Sequence, residues 1–181
     1  MTNNQSYGKT AIVLHWFTAL LIVLVIPLAW IMGSLERGPL SAALFDWHKS
    51  IGFSILLLTA LRLVSRLISG VPPAPENTPA VINKISGLIH LALYALLFAI
   101  PLVGWAMVSA AGHPLVYLGL WQLPDFVAKD HALHETLGDV HETLAYVLLA
   151  LVALHAAAAL KHHFIQRDDV LTRMMPSLRK R

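Results

Sequence analysis

The 181-residue chain contains no cysteine. That absence excludes structural disulfides, thiolate-ligated iron–sulfur clusters and thioether attachment of haem, so any cofactor must be held by other side chains. Charge is scarce as well. Asp, Glu, Lys and Arg make up 13% of the residues against 57% that are hydrophobic, and the runs 11–32 and 85–108 contain none of them. A water-soluble domain carries about 25% charged residues, so an ordinary soluble protein is excluded. Also missing is a small-residue cleavage site of the A-x-A kind after the first apolar run. That run is longer than the ~7–15 residues of a signal-peptide core and is expected to stay in the mature chain.

What the sequence does have is four apolar runs, 11–32, 47–68, 85–108 and 140–162, in a chain whose mean hydropathy is +0.66. Each is close to the ~20 residues needed to cross a bilayer as a helix. The expected fold is all-α: a single integral membrane domain over 1–181, built as an up-and-down four-helix bundle. Gly33 to Asp46 reads as a turn around Gly38 and Pro39, and Val71 to Pro79 as a proline-rich breaker. Ser109 to Asp139 is the longest connection, and within it Asp125 to Leu137 is expected to form a short helix on the membrane surface. Trp16, Trp30, Trp47 and Trp105 lie near span ends, where indoles anchor at the interface.

The basic residues are unevenly placed. Ten of the 13, namely Lys9, Arg62, Arg66, Lys84, Lys161, Arg167, Arg173, Arg179, Lys180 and Arg181, fall on the side of the termini, and only Arg37, Lys49 and Lys129 on the other. The positive-inside rule then predicts that both termini are cytoplasmic. A basic tail facing anionic lipid accounts for the pI near 9.4, and no nucleic-acid partner is needed.

Histidine is the informative residue. His141 and His155 stand fourteen residues apart on the fourth run. Fourteen steps return to within about 40° of the same helix face while advancing ~21 Å, so one helix offers an imidazole to each half of the membrane. Imidazole is a natural axial ligand of haem iron. His15, near the cytoplasmic start of the first span, shares a level with His155. His48, at the outer start of the second, shares one with His141. Two level pairs match two six-coordinate haem irons better than a zinc site, which favours a tetrahedral cluster with carboxylate or thiolate.

Neighbouring residues fit a haem. Gly52 follows His48 by one turn, where a missing side chain lets a flat porphyrin approach the backbone. Arg62, fourteen residues after His48, returns to the same face at the level of the inner pair and suits a propionate. Arg66 reads equally well as snorkelling to headgroups. By face alone His134, in the near repeat H-E-T-L-G-D and H-E-T-L-A-Y, competes with His141 as outer ligand. His141 is preferred because it is embedded in the apolar run, and His134 is expected at the surface of the outer mouth. His113 and His131 fall in the outer loop, and His163 is expected to be solvated.

The runs L-H-W at Leu14 to Trp16, H-K-S-I-G at His48 to Gly52, H-E-T-L-A-Y at His141 to Tyr146 and L-H-A-A-A-A-L-K-H-H-F at Leu154 to Phe164 resemble the bacterial cytochrome b561 family, as does the closing R-D-D-V-L-T-R-M-M-P. The likeness covers essentially the whole chain and is strongest to the family's superoxide:ubiquinone oxidoreductases. It implies two b haems ligated by His15 with His155 and by His48 with His141, a quinone site lined by His90 and His162, and residence in the bacterial inner membrane. His162 also continues the seven-residue series 134, 141, 148, 155, 162 toward the cytoplasm, and His90 lies in the first turns of the third span at that side.

The function so expected is electron transfer from periplasmic superoxide to membrane ubiquinone, with release of dioxygen and with Lys49 and Arg37 attracting the anion. The alternative is a haem b subunit that anchors a hydrogenase- or formate-dehydrogenase-type partner protein to the quinone pool. A histidine-lined metal transporter or structural membrane protein is a third class, which the lack of a haem absorption band would favour.

Overall fold

Four long helices follow from the four apolar runs in a computed structural model that describes residues 6–73 and 79–178. They are α1 (Lys9–Ser34), α2 (Pro39–Ser69), α3 (Ala80–Ala111) and α4 (His131–Lys161), and all four are long and apolar enough to cross a membrane. A short hairpin, β1 (Val116–Tyr117) with β2 (Trp121–Gln122), lies between α3 and α4. A π-helical turn over His162–Gln166 and a short α5 (Val170–Met174) follow α4.

The helix ends obey local chemistry. Pro39 opens α2 in the first turn, where a missing N–H costs nothing. The helix therefore starts well before Trp47, and the expected turn at Gly33 to Asp46 shrinks to residues 35–38. Gly112 closes α3 in the left-handed region at φ 73°, its N–H reaching Ser109 O and Val108 O. Asp130 caps α4, its carboxylate accepting from Leu133 N–H at 3.0 Å, while its own N–H donates to Ala110 O at 3.0 Å. This cap explains a second correction: no separate surface helix covers Asp125 to Leu137, because residues 123–130 are irregular and 131–137 are already the first turns of α4. The proline-rich breaker is non-helical over 71–73, and residues 74–78 lie outside the described residues.

α1 packs on α2, α3 on α4, and α2 on α3, whereas the α4 backbone stands off from α1 and α2. Tyr7 N–H donates to Arg173 O at 3.3 Å, so both terminal segments lie at one end, opposite the hairpin. One buried side chain from each helix, Ile22, Ile55, Leu97 and Leu148, forms the apolar layer at mid-height. Thr18 and Thr59 are buried but satisfied, each donating to the carbonyl four residues earlier, Leu14 O and Ile55 O, at 2.7 Å. The outward faces are apolar, with Leu24, Leu57, Leu91 and Leu154 exposed, as a lipid-facing surface requires.

Candidate functional site

Two imidazole pairs bridge the space between α4 and its neighbours. His15 on α1 faces His155 with ring centroids 6.3 Å apart and planes at 62°. His48 on α2 faces His141 at 6.2 Å and 68°. A metal–imidazole bond is ~2.0 Å and the ring nitrogen lies ~1.1 Å from its centroid, so two imidazoles on opposite sides of one metal have centroids ~6.2 Å apart. Both pairs meet that separation, and Leu148 and its layer lie between them. Among the described residues no cluster of three or more His, Cys, Asp or Glu side chains is able to hold a metal ion. A haem, whose porphyrin provides the remaining four ligands, fits paired histidines.

Around the hairpin-end pair the backbone is shaped for the rings. His141 Nδ1 lies 3.0 Å from Ile100 O. A carbonyl only accepts, so Nδ1 carries the proton and Nε2 keeps its lone pair, the usual arrangement behind a metal-ligating histidine. Gly104 makes this approach possible, since a Cβ there would fall 3.0 Å from His141 Cε1 and 3.1 Å from Nδ1. Nothing comes within 4 Å of where a Cβ on Gly52 would be, which leaves a slot one turn from His48. His48 Nδ1 is buried and has no hydrogen-bond partner among the described residues. The spacing of His48 and Gly52 pointed to this end of the bundle, but sequence reasoning missed Gly104, because nothing local to G-W-A marks a contact with a ring 37 residues away.

At the terminus end Arg62 lies at the level expected, its guanidinium 3.1 Å from His15 Nδ1. Arg62 and Arg66 both stand over the Tyr94 ring, at 5.5 and 5.8 Å from its centroid. His90 packs its ring on His155 with centroids 5.3 Å apart, and its Nδ1 donates to Ser86 O at 2.7 Å. His162 is not brought to the same place. It lies seven residues beyond His155, about two turns or ~10 Å further along α4, and its Nδ1 donates to Asp168 at 2.5 Å. Asp168 was missed by sequence reasoning, because only the π-helical turn folds it back onto His162.

His134 is half-buried, its Nδ1 donating to Met107 O at 3.0 Å. It lines a cavity of about 250 Å³ with His113, Lys129 and His131. Lys49 is not a free attracting charge, since its Nζ is 2.7 Å from Asp46 Oδ1. His163 is half-buried against Phe164, 4.9 Å between centroids. Trp105 is no interface anchor. It packs between Phe53 at 5.7 Å and Phe126 at 4.9 Å because the loop bearing the hairpin folds back over this end. Ser50 and Ser54 fasten that hairpin to α2: Leu118 N–H donates to Ser50 Oγ at 3.1 Å, and Tyr117 Oη lies 3.1 Å from Ser54 Oγ.

Comparison with known proteins gives a consistent result. The family model for prokaryotic cytochrome b561 matches residues 6–177. Cytochrome b561 homolog 1 of Escherichia coli (strain K12) is 32% identical over 171 residues, covering 94% of this chain and 97% of the relative. Cytochrome b561 homolog 2 of the same strain is 31% identical, covering 94% and 92%. A protein of Yersinia pestis named probable superoxide oxidase CybB is 31% identical over 182 residues, covering 97% and 99%.

Proposed function

The chain belongs to the prokaryotic cytochrome b561 family, bacterial membrane proteins that carry haem b and transfer electrons, and we propose that this member is a di-haem superoxide:ubiquinone oxidoreductase. The observation that carries the reading is the pair of level imidazole couples, at 6.3 and 6.2 Å, on a helix that spans the bundle. In this reading His15 with His155 and His48 with His141 would hold two b haems. Gly52 would leave room for a porphyrin at the hairpin end, and Arg62 would pair with a propionate at the terminus end. The kinship with a relative named as a superoxide oxidase supports the choice of donor.

Haem b supplies a one-electron couple at each level. The chain contributes position: α4 holds His141 and His155 ~21 Å apart along its axis, a spacing that carries charge across most of a ~30 Å hydrocarbon layer. The distribution of basic residues supports cytoplasmic termini. Superoxide then arrives at the hairpin end, where Arg37 and Lys129 have no carboxylate partner among the described residues. Two superoxide ions each give up one electron and leave as dioxygen. One ubiquinone takes the two electrons and two protons and leaves as quinol, with His162 at the terminus end as its proton donor and His90 beside the inner pair.

Isolated protein supplied with a steady superoxide source and a soluble ubiquinone tests this directly. The expected yield is one quinol for two superoxide ions, abolished by superoxide dismutase. No quinol above the protein-free control favours the alternative, a haem b subunit that requires a partner protein.

A further inference from the structure

α4 does not simply fray at its end. Its last turn widens into a π-helix over His162–Gln166, Arg167 takes the left-handed conformation at φ 56°, and the chain doubles back so that Asp168 N–H donates to His162 O at 3.2 Å. A non-glycine residue in that region is strained, and it persists only where its surroundings impose it. The turn brings the Asp168 carboxylate to His162 Nδ1 at 2.5 Å. Its other oxygen is occupied, Oδ1 accepting from Val170 N–H at 3.1 Å. The two side chains are 23% and 27% exposed, sheltered but within reach of water. The adjacent carboxylate, Asp169, is engaged separately by Arg173, which also donates to Pro73 O and so ties α5 to the segment that follows α2.

A carboxylate that accepts from Nδ1 fixes the tautomer of an imidazole, leaves Nε2 as the nitrogen that exchanges protons, and stabilises the imidazolium that forms when Nε2 is protonated. We infer that Asp168 is a positioning residue for proton delivery: it holds His162 so that Nε2 passes cytoplasmic protons to the reduced quinone. This rests on the reading that quinone is reduced at the terminus end. For each proton transferred, the Nε2–H bond breaks and an O–H bond forms on the quinone oxygen. A haem held by His15 and His155 would supply the electron, and His162 regains its proton from water while Asp168 keeps its hold on Nδ1–H.

A carboxylate that merely ties the helix end has a different signature, and Asp168→Asn separates the two because the amide oxygen preserves shape and an acceptor. In full-length protein carrying its haems, Asp168→Asn is expected to leave haem content and reduction by superoxide unchanged. Reoxidation at saturating short-chain ubiquinone is expected to slow ~10- to 100-fold, with little change in half-saturating quinone concentration. Asp168→Glu is expected to recover part of the rate. The far-downfield proton resonance of His162 Nδ1–H, identified by its absence in His162→Ala, is expected to vanish in Asp168→Asn. Slow reoxidation in His162→Ala with a wild-type rate in Asp168→Asn overturns this inference and spares the quinone reading. Wild-type rates in both overturn the quinone reading as well.

Discussion

Gly104 and His141 meet across the α3–α4 interface so closely that a single added methyl group would contact the ring, with Cε1 at 3.0 Å and Nδ1 at 3.1 Å. Protein interiors resist such overlap, and α3 backbone cannot yield without losing helix hydrogen bonds. Gly104→Val is therefore expected to tilt His141 away from Ile100 O and to remove the hairpin-end haem while the other stays bound. Gly52→Ala makes the complementary test. Its Cβ meets nothing in the chain, so the fold is expected to be unaffected and only haem retention to fall. Haem-to-protein ratios of the purified variants check both, and full haem content in Gly104→Val contradicts the assignment.

The wild-type protein is expected to hold two b haems per chain. His48→Ala or His141→Ala is expected to leave one, and His15→Ala or His155→Ala to leave the other, with distinguishable low-temperature absorption bands. His134→Ala is expected to keep both, because the imidazole that faces His48 is that of His141. One haem per wild-type chain, or two in His141→Ala, would refute the pairing.

Arg62 is tied to the terminus-end site alone. Its guanidinium sits at His15 Nδ1 and over Tyr94, a forked, planar contact that an ammonium cannot reproduce. Arg62→Gln and Arg62→Lys are both expected to weaken haem retention and shift the midpoint potential at this level, leaving the hairpin-end haem unchanged. A redox titration followed in the visible bands resolves the two. Equal shifts at both levels would show that Arg62 acts through the bundle as a whole.

Orientation is a separate expectation. A fusion placed after Arg181 is expected to be active with a cytoplasmic reporter and silent with a periplasmic one, and the reverse pattern would invert the donor and acceptor sides.

Much of the bundle was legible because its physics is local to each segment. Long apolar runs forced helices, and the fourteen-residue interval on α4 defined two levels. Gly52, His48 and Arg62 share a face because they stand one or four turns apart on α2, which a 3.6-residue period fixes. What escaped depended on contacts between distant segments. Gly104 is defined by a ring on α4, Asp168 by a turn that wraps back, and Trp105 by the loop that covers it. The expected surface helix at Asp125 to Leu137 failed for a related reason. The segment reads as one short piece, but Asp130 caps α4 within it and stitches the preceding loop to Ala110. Lys49 shows the same limit for charge: its partner Asp46 is three residues away, yet only a helix that begins at Pro39 places the two on one face.

Rapid mixing of the oxidised, quinone-free protein with superoxide, followed in the haem absorption bands, tests the central claim most directly. The account predicts that both b haems become reduced within the lifetime of superoxide, that superoxide dismutase prevents it, and that added ubiquinone then returns both to the oxidised spectrum. Haem bands that stay oxidised under superoxide, in protein that dithionite reduces normally, would contradict it.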